Sequence, residues 1–215
     1  MVGVDRHLPA IPAERLSMQA LRARFASPPV WQPEVVREPR FSNRQSTQAA
    51  VLIAIVMHPE PTVLLTQRTR HLSTHPGQIA FAGGKADDTD ADASATALRE
   101  AQEEIGLDPA LVDVLGSLPV YVTGTAFIVT PVVALVQPGF VLTPSAHEVD
   151  DVFEVPLQFL MDPQRHQRHT LRWDDQQREW FSMPYHDTAA AGQPERFIWG
   201  ATAGMLRNFY RFLSA

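Results

Sequence analysis

The sequence predicts a protein of the α/β or α+β class, in which a sheet of mixed strands is layered with helices. Short apolar segments of strand length recur along most of the chain. Amphipathic segments of helix length are inserted between them or follow them. Because strands and helices are interspersed, a sandwich of layers is the simplest architecture that buries the apolar side of each element.

The first 47 residues have the character of an extension rather than of a domain core. A single helical segment is predicted at residues 13–27, where Leu16, Ala20 and Leu21 share one stripe. Prolines punctuate the rest of this stretch, namely Pro9, Pro12, Pro28, Pro29, Pro33 and Pro39. We therefore divide the chain into an extension, residues 1–47, and one domain, residues 48–215. The extension adds surface and is a candidate dimerisation segment, so a homodimer is one expected partner.

The strand predictions begin where the composition changes at Ala49. Residues 49–58 form a buried apolar run, and the turn sequence HPEP joins it to residues 62–68 in a predicted hairpin. Residues 78–84 are predicted as a short strand that ends in a glycine pair. Further strands are predicted at residues 112–120, 126–137, 151–157, 169–173 and 178–185.

Two more helices are predicted within the domain. The segment ALREAQEEIGL, residues 97–107, follows a polar loop and ends at Gly106, with Pro109 just beyond. Residues 199–215 are predicted as a closing amphipathic helix. Its candidate apolar face consists of Met205, Leu206, Phe209 and Phe212.

Composition and charge exclude several classes of function. A formal net charge of −6 provides no basic surface for nucleic acid or for an anionic membrane. The absence of cysteine excludes disulfides, thiolate metal sites and a cysteine nucleophile. The first residues lack the layout of a signal peptide, and no apolar run reaches the roughly 18 residues that a transmembrane helix needs. We expect a cytoplasmic protein.

The helix at residues 97–107 carries a cluster of carboxylates. On a helical wheel, Glu100, Glu103 and Glu104 fall in one arc, beside the stripe that faces the core. That stripe consists of Ala97, Leu98, Ala101 and Ile105. Carboxylates at such spacing repel one another, and oxygen ligands without cysteine or paired histidine suit Mg²⁺ or Mn²⁺. The alternative is a solvated acidic face.

The surroundings of this cluster resemble the Nudix box, G-x(5)-E-x(7)-R-E-U-x-E-E-x-G-U, where U is a bulky apolar residue. Residues 99–107, REAQEEIGL, match its second half except at Ala101, which replaces the first apolar residue. Gly84 and Asp90 fit the first half, with aspartate in place of glutamate. The loop from Asp90 to Arg99 is one residue longer than the pattern. The chain therefore resembles the Nudix hydrolases.

This resemblance implies a fold and a set of roles. The fold would be an α/β/α sandwich with a mixed sheet and a catalytic loop–helix–loop. Glu100, Glu103 and Glu104 would bind divalent ions that bridge a diphosphate, and Gly84 would let the backbone approach metal and phosphate. Arg99 would orient the carboxylates through charge-assisted hydrogen bonds.

A second stretch, LLTQRTRHLSTHPGQIAFAGG at residues 64–84, resembles the signature of coenzyme A pyrophosphatases. That signature reads L-L-T-x-R-S-x(3)-R-x(3)-G-x(3)-F-P-G-G, with a histidine two places before the first glycine. Arg68, His75 and Gly77 match it and are expected to contact the substrate. For His75, the alternative is a turn-capping role.

Two departures from the signature bear on the substrate. The second arginine of the signature is Ser73 here, which removes a candidate contact to the 3′-phosphate of coenzyme A. Arg70 is a candidate replacement for that contact. Ala82 stands where the signature has proline, and this change mainly frees one backbone position.

The resemblance implies hydrolysis of the diphosphate bond of coenzyme A or acyl-coenzyme A, a small-molecule substrate. The products would be 3′,5′-ADP and 4′-phosphopantetheine or its acyl derivative. Glu103, Glu104 and Glu148, the last in a later loop, are candidates for the general base. One alternative is the same chemistry on another dinucleotide, such as ADP-ribose or NADH. Another is a non-catalytic domain that senses nucleotides. Trp173, Trp180 and Trp199 are candidates for stacking on an adenine, and the alternative for each is packing in the core or at a dimer interface.

Overall fold

The computed structural model describes residues 1–40, 45–72, 74–173, 176–187 and 195–215. In chain order the strands are β1 (Gly3–Val4), β2 (Thr47–Val56), β3 (Thr62–Arg68), β4 (Ile79–Ala80), β5 (Gly83–Lys85), β6 (Val112–Ser117), β7 (Tyr121–Val122), β8 (Phe127–Val136), β9 (Val149–Pro156), β10 (Gln167–Trp173), β11 (Gln176–Tyr185) and β12 (Arg196–Trp199). The α-helices are α1 (Met18–Ala26), α2 (Ala93–Ile105), α3 (Leu157–Leu160) and α4 (Ala201–Ser214). Single 3₁₀ turns lie at Ala13–Leu16, Pro109–Leu111 and Pro163–Arg165.

The strands form one large mixed sheet and one small antiparallel sheet. The large sheet has the order β4-β3-β2-β8-β6, with β5 paired to β2, β7 to β8 and β9 to β3. Strands β2 and β8 run parallel over their whole length, whereas the other pairs of this sheet are antiparallel. The small sheet has the order β1-β10-β11-β12. The predicted class, a mixed sheet combined with helices, is confirmed.

Helices cover both faces of the large sheet. Side chains of β2 alternate between the two faces because successive residues of a strand point in opposite directions. Leu52 packs in a core cluster with Ala97 and Ala101 of α2, whereas Ile53 packs in another with Leu206 and other residues of α4. The result is the predicted sandwich of helix, sheet and helix. No helix among the described residues is long and apolar enough to span a membrane.

Three predicted elements have different bounds in the structure. The strand predicted at residues 78–84 is two strands, because β4 pairs with β3 and β5 pairs with β2. The segment predicted as 112–120 forms β6 and ends before β7. The first helix begins at Met18 rather than residue 13, because Ser17 adopts an extended conformation and its Oγ caps α1 by accepting from the N–H of Ala20.

Residues of the N-terminal extension pack onto the domain. Ile11, Leu16 and Leu21 are buried in the same cluster as α4. Charged groups also tie the extension to α4: the guanidinium of Arg207 is fully buried and donates to Asp5 at 2.6 Å and to Glu34 at 2.7 Å. The extension thus completes the core on this side of the sheet.

A buried histidine in this ion network predicts a pH dependence of stability. His166 is fully buried, with Nε2 2.8 Å from the carbonyl oxygen of Leu160 and Nδ1 3.2 Å from Nη1 of Arg207. Burial, together with the Arg207 charge, lowers the pKa of His166 from 6.5 to about 4. The unfolded chain therefore binds the proton first as the pH falls, and the folded state loses stability between pH 6.5 and pH 4.

As the pH falls from 7 to 5, we expect protonation of His166 in the unfolded chain to lower the free energy of unfolding by about 2 kcal/mol. The measurement is urea denaturation of the wild type and of His166→Gln in the same buffers, because other titrating groups then cancel in the difference. The variant is expected to lack this loss. Equal pH slopes for the two proteins would contradict the assignment of the shift to His166.

Candidate active site

The carboxylate helix α2 is delimited by local signals that the sequence shows. Asp92 caps its first turn, with Oδ1 accepting from the N–H of Ala95 at 2.8 Å. Gly106 ends the helix in the left-handed conformation with φ 70°. Ala97, Ala101 and Ile105 are buried, as the predicted core stripe requires, and Leu98 is partly buried against the same cluster.

The arginine of the predicted box binds three carboxylates at once. Nε and Nη2 of Arg99 each donate to Asp90 at 3.0 Å, and Nη1 donates to Glu100 at 3.0 Å and to Glu103 at 3.1 Å. Nη2 also donates to the carbonyl oxygen of Lys85 at 3.0 Å. The hydrogen bonds from Arg99 hold the pKa of Asp90 well below its usual range. Arg99 therefore joins the polar loop before α2 to the exposed side of the helix.

Glu104 is much less exposed to solvent than its neighbour Glu103, although both lie in one arc of the helix. The side chain of Glu103 is 60% exposed, whereas that of Glu104 is 6% exposed. Oε2 of Glu104 accepts from the N–H of Gly83 at 3.1 Å, and Oε1 lies 3.8 Å from Nη1 of Arg68. Burial, together with the charges of Glu148 and Glu100, raises the pKa of Glu104 to about 7, although the contacts with Gly83 and Arg68 act to lower it.

Gly84 leaves room for the carboxylate of Glu100. A Cβ atom at position 84 would lie 2.5 Å from Cδ of Glu100, a separation that real side chains do not adopt. Burial also raises the pKa of Glu100. The glycine is needed here because strand β5 passes directly against a carboxylate of α2.

We expect Gly84→Ala to displace Glu100 and lower kcat/KM about 100-fold, since misplacing a catalytic group by 1 Å has effects of that size. Gly3→Ala is the matched control, because no atom lies within 4 Å of a Cβ placed there. The measurement is steady-state hydrolysis, with thermal melting to confirm folding. Unchanged kcat/KM in Gly84→Ala would show that the position of Glu100 does not matter.

The loop that carries Glu148 is anchored beside α2. The N–H of Ser145 donates to the carbonyl oxygen of Glu104 at 2.8 Å, which ties the loop to the helix end. Thr69 holds the other side: its N–H donates to the carbonyl oxygen of Glu148 at 3.0 Å, and its Oγ1 donates to that of His147 at 3.1 Å. The charge of Glu148 raises the pKa of both Glu100 and Glu104. The structure therefore brings Glu148 next to the carboxylate cluster.

The other candidate contacts lie in or beside the loop after β3. Arg68 is partly buried beside Glu104, and its buried Nε has no hydrogen-bond partner within the part of the chain that the structure describes. Arg70 is exposed, and Gly77 adopts φ 69° in the turn that follows. His75 is exposed, adopts φ 54° and forms a 2.8 Å hydrogen bond through Nδ1 with Gln78, which favours the turn-capping alternative. Ser73 lies outside the described residues.

The donor set fits a hard divalent cation. Its candidate ligands are carboxylate oxygens. Burial is the main cause of the raised pKa values of Glu100 and Glu104, and the charge of Glu148 adds repulsion at both. A cation between them would relieve that repulsion. Among the described residues, no three His, Cys, Asp or Glu side chains stand in a ready ligating arrangement. Instead, Arg99 binds Glu100 and Glu103, and the Gly83 N–H binds Glu104.

A sandwich that presents clustered carboxylates from a loop–helix–loop defines a class of hydrolases, and comparisons with known proteins agree. The chain matches the NUDIX domain over residues 46–196. It is 44% identical over 177 residues to the "Uncharacterized Nudix hydrolase NudL" of Escherichia coli (strain K12), covering 82% of this chain and 85% of that protein. The NudL protein of Shigella flexneri shows the same identity and coverage. This chain belongs to the Nudix family and is an enzyme that hydrolyses a nucleoside diphosphate derivative.

Solved structures also include similar chains. RenU, a Nudix hydrolase from M. smegmatis, is 23% identical with a TM-score of 0.45, over 53% of this chain and 73% of that chain. A MutT/nudix family protein from Enterococcus faecalis is 19% identical with a TM-score of 0.46, over 79% of this chain and 63% of that chain.

The sequence does not reveal the roles of two groups that shape the site. Asp90 was matched to the box, but its two-pronged contact with Arg99 was not foreseen. No role is assigned to Thr69 from the sequence, whereas the structure shows that it anchors the loop of Glu148. The feature of the sequence that could have indicated this role is the position of Thr69 directly after Arg68, within the stretch that resembles the coenzyme A pyrophosphatase signature.

Proposed function

We propose that this hydrolase cleaves the diphosphate bond of coenzyme A or acyl-coenzyme A. The observation that carries the proposal is the position of the stretch that resembles the coenzyme A signature. Arg68 from this stretch contacts Glu104, Thr69 anchors the loop of Glu148, and Gly83 donates to Glu104. The segment that resembles the signature of coenzyme A pyrophosphatases thus forms one wall of the carboxylate site.

The residues of the site support a hydrolytic step. Water attacks one phosphorus, a carboxylate takes its proton, and the bridging oxygen leaves with the other phosphate. Glu104 is the leading candidate for the base because burial raises its pKa to about 7, close to an operating pH. Glu148 and Glu103 remain the alternatives. Arg99 would keep Glu100 and Glu103 in position, and Arg68 would bind the anionic substrate.

We further propose that Glu100, Glu103, Glu104 and the backbone at Gly84 hold Mg²⁺ or Mn²⁺. Such an ion would supply charge neutralisation at the phosphates. Arg70 and Gly77 would contact the substrate from the loop after β3, and a contact from His75 stays a weaker proposal. A cytoplasmic location and a homodimer also remain proposals.

The test compares the hydrolysis of coenzyme A, 3′-dephospho-coenzyme A and ADP-ribose with Mg²⁺ and with Mn²⁺, and identifies the products by mass. Release of 3′,5′-ADP, with coenzyme A preferred over its dephospho form, is the expected result. A preference for ADP-ribose would replace the proposal by the dinucleotide alternative, which the serine at position 73 favours. Binding without turnover on all three would contradict the proposed substrate and point to another nucleoside diphosphate derivative.

A further inference from the structure

A second cavity lies away from the carboxylate cluster, on the other face of the large sheet. Its volume is about 520 Å³, within the size range of small-molecule pockets. Tyr121 and Phe181 line it and belong to the core cluster of α4, whereas α2 packs in the opposite cluster. None of the carboxylates assigned to the active site lines this cavity.

Much of the cavity wall comes from parts of the chain outside the matched NUDIX domain. Residues 34–37 and Pro39 of the extension form one side, and Gly200 and Gly204 at the start of α4 lie at another. The hairpin of β10 and β11 supplies the facing side through residues such as Trp180. The cavity is therefore a feature that the extension creates.

The charged network of the fold holds this wall rigidly. Glu34 accepts from Nε of Arg207 at 2.7 Å and from Nε of Arg211 at 2.6 Å. Arg168 binds Asp5 in a two-pronged contact at 2.8–3.0 Å. Because the carboxylates and guanidiniums of this network are paired with one another, they shape the cavity but leave no unpaired charge of their own for a ligand.

Arg37 is the exception on the same wall. It lines the cavity, and among the described residues no hydrogen-bond or ion-pair partner of its guanidinium is found. Gly200, the residue before helix α4, also lines the cavity; it supplies no side-chain cap to the helix, and a Cβ placed there would meet no described atom within 4 Å. An unpaired guanidinium and an uncapped helix start that line one cavity together favour an anionic group such as a phosphate.

The facing wall is suited to a flat or apolar body. His169 stacks on Trp180 with ring centroids 5.2 Å apart and planes 11° apart, and Nε2 of His169 bonds to Oγ of Ser182 at 2.8 Å. Both rings line the cavity, and Thr170 and Glu179 beside them offer hydrogen-bonding groups. We propose that this cavity binds a phosphomonoester with an aromatic or amphipathic body, at a site separate from the carboxylates.

This inference does not depend on which substrate the active site cleaves. Two phosphomonoesters of suitable size are 3′,5′-ADP, with an aromatic body, and 4′-phosphopantetheine, with a linear one. The test is isothermal titration of the full chain in EDTA with each of them, so that no turnover occurs. Inorganic phosphate and pantetheine, which lacks the phosphate, are the comparison ligands.

We expect at least one of the two phosphomonoesters to bind with a Kd below 1 mM, about the weak end of specific binding. Arg37→Met and Trp180→Leu should each weaken binding at least ~10-fold, a change of about 1.4 kcal/mol. Glu104→Gln, in the active site, and Leu171→Ala, exposed on the same hairpin, should leave the Kd within about twofold. Thermal melting of each variant checks that it is folded.

Two results would overturn the proposal. One is that neither phosphomonoester binds up to 1 mM. The other is binding that Glu104→Gln weakens while Arg37→Met and Trp180→Leu do not, because the ligand would then occupy the carboxylate site. Failure of the coenzyme A assay leaves this titration unaffected, so the two proposals are tested separately.

Discussion

Glu104→Gln is expected to lower kcat by about 10²–10⁴-fold, the range for loss of a general base. Glutamine keeps the size of the side chain and can still accept from the N–H of Gly83, but it cannot take a proton from water. The measurement is the steady-state rate on the preferred substrate. Glu60→Gln, an exposed glutamate in the turn between β2 and β3, is the matched control. A variant that keeps more than a tenth of the wild-type kcat would exclude Glu104 as the base.

The stability of Glu104→Gln shows whether a loss of activity in this variant comes from catalysis or from unfolding. Burial raises the pKa of Glu104 to about 7, so the charged form is disfavoured in the folded protein. Because the folded-state pKa lies above the unfolded value, ionisation of Glu104 lowers the free energy of unfolding as the pH rises from 4.5 to 7. Neutral glutamine removes that penalty. In EDTA at pH 8, the variant should therefore unfold at no lower urea concentration than the wild type.

Arg207→Met is expected to lower the free energy of unfolding by about 3–5 kcal/mol, the usual cost of removing one partner of a buried ion pair. Arg207 is fully buried and binds Asp5, Glu34 and His166. Methionine replaces the apolar stem but leaves two carboxylates short of a partner. Hydrogen bonds from Arg207 and its neighbours hold the pKa of Glu34 at about 2 despite its burial. The measurement is urea denaturation at pH 7.

The control for this variant is Arg22→Met, at a surface ion pair. Arg22 lies 2.8 Å from Asp113, and both side chains are more than half exposed. Such pairs contribute about 0–1 kcal/mol, so the control should change stability little. If Arg207→Met also cost less than about 1 kcal/mol, the extension would not depend on this network for its attachment.

The local elements of the site were predictable because their signals lie within a few residues. The run from Arg99 to Leu107 has the period of a helix, and Gly106 supplies the residue that ends it. The core stripe and the arc of carboxylates therefore follow from the sequence. The resemblance implied that Gly84 lets the backbone approach metal and phosphate; the close approach that the structure shows is a different one, between Gly84 and the carboxylate of Glu100.

The contribution of the extension was not predictable in the same way. Asp5 and Glu34 lie 202 and 173 residues from Arg207, and nothing in their own neighbourhoods marks them as partners. The prolines of this stretch indicated an extension, but the structure packs its apolar residues into the core of the domain. Contacts at such separations depend on the register and packing of the whole chain, which periodicity does not report.

The sequence alone determined the family resemblance, the carboxylate helix and the residue types available for chemistry, because these depend on local order and spacing. The tertiary structure alone decided how those residues differ. Glu103 and Glu104 are adjacent in one arc, yet of the two only Glu104 is buried, and burial raises its pKa against the contacts from Gly83 of β5 and from Arg68. Glu148 joins the cluster from 44 residues away through the anchor at Thr69. Burial and electrostatic coupling depend on what packs around a side chain, and the folded chain supplies those neighbours.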